Sequence, residues 1–415
     1  MGDPYFRYQG NGGFDVRHYD IAFSYDPATR RMNATTTVTA VATQNLDRFD
    51  LDFRGPDISM LTVNGTTAGF QRAGQELIIT PGSSLPSGRV FTVVVKYAGV
   101  PPVITDPDGS IEGWVPTDDG AFVVGEPQGA PAWFPGNDHP TNKATFTFHA
   151  TVPEGTTAVG NGRLLSQTTA SGWTTFVWDS TEPMATYLAT VTIGKFEITE
   201  STTPSGIPIY TAVDPRLVKR SAAAVAQIPD IIDYYRQTFG PYPFSSTGAI
   251  IDYAPNVGYA LETQTRPVFC DVPSNAVGTM AHELAHQWFA TERRQGKTII
   301  RVSVRTRAAG PVNEGGASTA IWVSSRSRPR ECGARAAAHT DVRNEPSLRA
   351  ARRSFRNPGT PIDSSTSMAV RPSTPGDRAP WLPATRSNAT NSVAGSCTKL
   401  NRSSNRRPGS ATVQR

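Results

Sequence analysis

No stretch of this sequence approaches the roughly 18 consecutive apolar residues that a membrane-spanning helix needs, so no such helix is expected. The opening residues, Met1-Gly2-Asp3-Pro4-Tyr5-Phe6, lack the basic and apolar regions of a secretory signal. The expected location is therefore the cytoplasm, or outside the cell if a leader is missing. Cysteine is scarce: Cys270, Cys332 and Cys397 are the three in the chain, and they have no zinc-knuckle spacing. An odd count leaves a thiol unpaired, so disulfides do not frame the fold, and Cys270 is expected to be a core residue. No internal repeat of fixed period is present. Tyrosine is absent from the last part of the chain, all 12 lying at or before Tyr259, and Phe355 is the single one of 18 phenylalanines beyond Phe289.

What is present suits a globular protein of two or more domains: 415 residues, 38% hydrophobic and 18% charged. The net charge of +5 hides an asymmetry, because residues 290–415 hold 23 of the 40 Lys+Arg and only 7 of the 35 Asp+Glu. That basic tail is rich in Arg, Ser, Pro and Ala from Arg326 onward. Its arginines are scattered with few aromatics between them, so nucleic acid is not expected as a partner. Such a composition buries too little apolar surface to offset the entropy of ordering, and residues 326–415 are expected to be disordered. The abrupt loss of Tyr and Phe with a surplus of Arg is also what out-of-frame translation of a GC-rich gene produces.

From Asp15 to about Ile198 the pattern is β, in short alternating runs separated by turns. Thr35–Thr43, Phe49–Phe53, Glu76–Thr80, Phe91–Tyr97, Ala144–Val152, Trp173–Trp178 and Tyr187–Ile193 read as strands of an antiparallel domain. Asn64-Gly65 reads as a hairpin turn, and Asn161-Gly162 and Ser171-Gly172 as punctuation. The stretches 118–130 and 133–140 are too rich in Gly, Pro and polar residues for strands and read as loops. Loops can build sites, but ordinary turn chemistry is the favoured reading, with Asn137 and Asp138 closing Asx-turns and His139 solvated. Past Pro204-Ser205-Gly206 the period becomes helical over Ser221–Phe239, which Pro229 kinks or restarts. Gly248–Asp252 reads as a strand and Val257–Thr265 as an extended segment.

The chemistry concentrates in Ala281-His282-Glu283-Leu284-Ala285-His286-Gln287-Trp288-Phe289. Val277, Met280, Ala281, Leu284, Ala285 and Trp288 make an apolar stripe uninterrupted by proline, which predicts a helix. On a helix His282 and His286 stand one turn apart on one face, so two neutral imidazoles can share one Zn²⁺ while Glu283 reaches a water on the metal. The same string can occur on an ordinary helix surface, and a catalytic zinc needs a third protein ligand.

Taken in order, Gly2-Asp3-Pro4-Tyr5-Phe6 with Gly10-Asn11-Gly12-Gly13, Trp133-Phe134-Pro135, Asn137-Asp138-His139-Pro140, Phe239-Gly240-Pro241-Tyr242-Pro243-Phe244, Ala260-Leu261-Glu262-Thr263 and His282–Phe289 resemble the aminopeptidase N family of gluzincin zinc exopeptidases, particularly its bacterial members. The resemblance covers about residues 1–289. It implies an α+β protein: an N-terminal antiparallel β-sandwich-like domain over 1–205, an incomplete thermolysin-like zinc peptidase domain over 206–325, and the tail 326–415. It further implies one zinc ion on His282 and His286, Glu283 as general base, and Glu262 as anchor of the substrate's free α-amino group. Ala260 opens that anchor motif, and Glu126 and Gln128 look like the family's Gln/Glu pair near the same amine with the residue types exchanged. Peptides with free N-termini are the implied substrates, no membrane partner is expected, and oligomeric state is not legible.

The family carries a third ligand, a Glu in an Asn-Glu-Gly motif, after 18 residues from the second histidine, where this chain has Arg305. Asn313-Glu314-Gly315 follows 27 intervening residues, and Asn313 to Val323 resembles the expected helix, making Glu314 a candidate third ligand. The family's downstream tyrosine has no counterpart. A zinc aminopeptidase and a non-catalytic, truncated or frameshifted remnant that at most binds peptides both follow from these observations. A zinc endopeptidase is disfavoured by Glu262.

Overall fold

The computed structural model describes residues 8–272 and 276–289 in full, together with the backbone of Thr298–Arg307, Ser318–Ser327, Thr340–Asp341, Ser364–Ser365 and Ser367–Val370. Along Phe14–Asp26 and Arg31–Ala42 nearly every second residue is buried, as expected of strands with one face on a core. They sit in the middle of an eight-stranded sheet, whose order is Arg163–Ala170, Trp173–Met184, Ala144–Pro153, Phe14–Asp26, Arg31–Ala42, Val90–Gly99, Asp57–Val63 and Thr66–Thr67. The predicted antiparallel pattern has one exception. Phe14–Asp26 and Ala144–Pro153 pair in parallel, which is possible because the intervening chain is long enough to cross over.

Facing this sheet is a five-stranded one built from Thr157–Gly160, Val191–Gly194, Ala121–Val124, Ile111–Pro116 and Val103–Thr105. Aromatic rings join the two. Trp114 packs edge-on to Phe23 and Tyr25, and Trp133 stacks on Phe148, all in the interior. Each such fully buried side chain contributes roughly 1.5–3 kcal/mol relative to exposure. Asn64 and Gly65 both take positive φ at the Val63–Thr66 hairpin, as do Ser171 and Gly172 at the next one, so these turns match the sequence reading.

Three local expectations are corrected. Residues 121–124, taken as loop, form a fully buried strand because Ala-Phe-Val-Val is apolar on both faces. Tyr187 lies in a single 3₁₀ turn, Thr186–Leu188, with the strand beginning only at Val191. Asn161-Gly162 is no simple surface turn: Asn161 is fully buried and its side chain bonds three separate backbone groups.

A second mixed sheet follows, ordered Glu197–Thr202, Pro208–Val213, Thr247–Ile251, Val268–Phe269 and Ala260–Leu261. Its first strand starts at Glu197, so the division drawn at residue 205 falls inside a hairpin of this sheet. Three helices pack with it: α1 (Val218–Val225), α2 (Ile228–Phe239) and α3 (Ala276–Phe289). Of the two outcomes expected at Pro229, the structure shows the restart: the run forms two helices, with Pro229 in the first turn of α2, where its missing N–H costs nothing. Gly240 ends α2 at φ 104°, and the indole of Trp288 on α3 donates to the carbonyls of Gly240 and Pro241. The hydroxyl of Tyr235 on α2 donates to the Ala281 carbonyl, 2.8 Å. These bonds tie α3 to the body.

Beyond Phe289, the segment expected as a helix from Asn313 is extended over Ser318–Ser327, in keeping with its Ser, Thr, Ile, Val and Trp content. Gly2 to Phe6 and Glu314 lie outside the described residues, as does most of 326–415, for which disorder is expected. Among the described residues no helix is long and apolar enough to cross a membrane.

Candidate active site

The predicted helix is α3, and every residue from Met280 to Trp288 is buried. One turn apart, His282 and His286 bring their Nε2 atoms within 3.2 Å of each other. Two nitrogens on a tetrahedral zinc stand roughly 3.3 Å apart, given Zn–N distances of about 2.0–2.1 Å, so the pair already has the spacing of two corners of a zinc site. Burial pulls His282 down to about 3, helped by His286, and pulls His286 down to about 4. Both rings are thus neutral, the form that binds a metal.

Glu283 completes the only group of His, Cys, Asp and Glu with metal-binding spacing among the described residues, the ligand atoms of the three lying within 4.8 Å of one another. Its Oε2 is buried with no hydrogen-bond partner among them. Burial raises the Glu283 carboxyl well above the usual range, and the nearby Glu262 and Glu126 charges push the same way. An orphaned acidic oxygen beside two neutral imidazoles fits a divalent cation with its water, which supplies the missing charge and partner.

Of the other predicted residues, Ala260 opens the short Ala260–Leu261 strand, paired with Val268–Phe269, and Glu262 follows it, 5% exposed. Burial raises the Glu262 carboxyl. Past this point the segment expected to be extended turns back: Arg266 N–H donates to the Thr263 carbonyl, and Thr265 adopts φ 68°. A β-branched residue in that conformation costs on the order of 1–3 kcal/mol unless its surroundings hold it.

Glu126 is exposed on the loop after Ala121–Val124, near enough to Glu262 and Glu283 for its charge to act on Glu283 and, with that of Glu262, on Tyr187. Gln128 is engaged elsewhere. Its amide nitrogen donates to Asp106, 2.6 Å, and its oxygen accepts from Arg54, 3.1 Å. The Asn137-Asp138-His139-Pro140 run is structural: Asn137 and Asp138 are buried, and Asn137 Oδ1 accepts from Asn11 N–H at 2.7 Å. The Asx-turn reading therefore gives way to a long-range latch, in which two motifs quoted for the resemblance hold each other; His139, half-buried, accepts from Thr141 N–H.

The residues that hold the anchor segment in place escaped the sequence reading. Arg266, 1% exposed, donates to the carbonyls of Tyr210, Gly160 and Gly162 and lies 4.8 Å over the Trp178 ring. Asn161 donates to the Gln264 carbonyl, and Thr265 Oγ1 accepts from Gly162 N–H. Their partners are 56 to 106 residues away, and no spacing in the sequence announces them.

A two-layer β domain followed by a sheet and a helix bearing two histidines and a glutamate at metal spacing is the arrangement of metallopeptidases of the HExxH class. The model of the Peptidase M1 N-terminal domain matches residues 16–188. Over 303 residues the chain is 28% identical to human endoplasmic reticulum aminopeptidase 1, covering 66% of this chain and 32% of that protein. It is 31% identical over 169 residues to aminopeptidase M1-B of Oryza sativa subsp. japonica, covering 38% of this chain and 19% of the relative. The crystal structure of the M1 zinc metallopeptidase from Deinococcus radiodurans aligns with a TM-score of 0.64 at 26% identity, covering 70% of this chain and 67% of that one. A mutant of that enzyme with a Tyr-Ser-Ala substrate bound aligns equally well, at 28% identity. Over this part the chain is similar to the M1, or aminopeptidase N, family of zinc metallopeptidases. It spans a third or less of the length of the curated relatives it matches.

Proposed function

We propose that the site is that of a zinc-dependent aminopeptidase, which removes the N-terminal residue of peptides. The observation that carries this reading is the convergence of Glu262 on the buried His282–Glu283–His286 group, with Glu283 Oε2 lacking a hydrogen-bond partner among the described residues. His282 and His286 would hold a zinc ion, which when bound would supply a Lewis acid and an acidified water. Glu283 takes the proton of the attacking water and delivers it to the leaving nitrogen. Glu262 pairs with the substrate's α-ammonium group, a charge that leaves water only against a fixed carboxylate. Glu126 adds negative charge on the same side and Ala260 borders the anchor, whereas Gln128 is held away by Asp106 and Arg54. That arrangement sets register at the first peptide bond and makes an exopeptidase. The peptide-bound Deinococcus structure supports the substrate class. Glu314 is the candidate for the third zinc ligand.

A second reading, a peptide-binding remnant without catalysis, is favoured by one observation. The position that the family gives to its third ligand is Arg305, within the extended Thr298–Arg307 segment. Measuring zinc per chain on residues 1–415 and assaying a leucine or alanine anilide separates the two. About one zinc and turnover that Glu283→Ala abolishes are expected of the enzyme; no zinc and no hydrolysis would reject it.

A further inference from the structure

Gln287, the residue after the second histidine, is fully buried, with its carboxamide against the turn that begins at Glu262. Its Oε1 accepts the Thr265 N–H at 2.8 Å, and its Nε2 donates to the carbonyls of Glu262 at 3.3 Å and Thr263 at 3.4 Å. One side chain thus engages three backbone groups of the turn that begins at Glu262. Thr265 holds φ 68° there, a conformation a threonine does not keep without external support. On its other side the turn is held by Asn161 and Gly162 of the N-terminal half. Gln287 thus ties α3 to this turn from the helix side.

We infer that Gln287 is a positioning residue that couples the amine anchor to the metal helix, fixing the distance from Glu262 to His282 and His286. It does not touch substrate or metal. It acts through the backbone of Glu262, so the anchor and the metal site move as one unit. The inference rests on the reading of Glu262 as the amine anchor and adds the residue that sets its register. A carboxamide suits the task because it offers an acceptor to one N–H and two donors to carbonyls at once. No carboxylate, hydroxyl or apolar side chain of similar size does so.

The test uses the zinc-loaded full chain and two probes, L-leucinamide and N-acetyl-L-leucinamide, with binding measured by calorimetry. Wild type is expected to bind the free amine and reject the acetylated one. In Gln287→Met, zinc content should stay at the wild-type level, since His282, Glu283 and His286 remain on α3, while preference for the free amine falls roughly tenfold or more, equivalent to one charge-assisted contact. Gln287→Asn, one methylene shorter and still polar, should show the same split if the methionine variant fails to fold. Retained discrimination with either substitution, or zinc lost in step with it, overturns the positioning role. Absence of discrimination in wild type overturns the anchor reading itself, and the inference with it.

Discussion

Asp52 lies fully buried beneath the N-terminal segment, and replacing it should change how stability depends on pH. Its Oδ2 accepts the N–H groups of Asp138 at 2.8 Å and Gly10 at 3.2 Å. Burial and the neighbouring Asp138 charge push its carboxyl from 3.8 up to about 8, and burial pushes Asp138 up to about 7. Both folded-state values exceed the unfolded ones, so folding takes up protons. The stability from this source is complete below pH ~4 and is lost as pH climbs through the folded values of 7 to 8. For Asp52 alone, at about 1.4 kcal/mol per unit, the loss between pH 5 and pH 8 is on the order of 3 kcal/mol. Asp52→Asn keeps an acceptor for both N–H groups and never ionises. Its urea-unfolding free energy should lie within about 1 kcal/mol of wild type at pH 5 and exceed it by about 2–4 kcal/mol at pH 8. The measurement is a urea melt of both proteins at half-unit pH steps. Parallel curves would refute the reasoning, because they would place the Asp52 ionisation outside this window.

Arg266→Met should lower the unfolding free energy by about 3–5 kcal/mol at neutral pH, since three buried carbonyls lose their charged donor; a change under 1 kcal/mol in a denaturant melt would show that the clamp carries no stability. Glu262→Ala should reduce kcat/KM for an aminoacyl anilide by roughly 10–100-fold, the worth of one charge-assisted contact, with zinc content unchanged. Equal turnover of free and N-acetylated substrates in wild type would remove the reason for that assignment. Dialysis against a chelator should abolish hydrolysis and added zinc restore it, while circular dichroism of the β domain stays as it was, because the sheets hold their own core.

The helix of the metal site was legible because its signals are local. An apolar stripe at helical period, two histidines four residues apart and a glutamate between them depend only on the geometry of one helix. The alternating strands and the two Gly-containing hairpin turns were legible for the same reason, since a period of two and positive φ are properties of neighbouring residues. Misreadings arose where tertiary context prevailed. Ala121–Val124 forms a strand because both of its faces are covered.

What the sequence by itself determined is the chemistry available: which side chains can ligate, take a proton or hold an ammonium group, and on which element they stand. Only the tertiary structure decided how these groups meet. Glu262 reaches α3 because Arg266 and Asn161 fasten its turn to the first domain and Gln287 fastens it to the helix, bonds that span from 22 to 106 residues of sequence. Asp138, read as turn chemistry, is part of a buried latch because its N–H and that of Gly10 converge on the Asp52 carboxyl. Contacts of that separation leave no periodic trace, since nothing in the spacing of one partner constrains the position of the other.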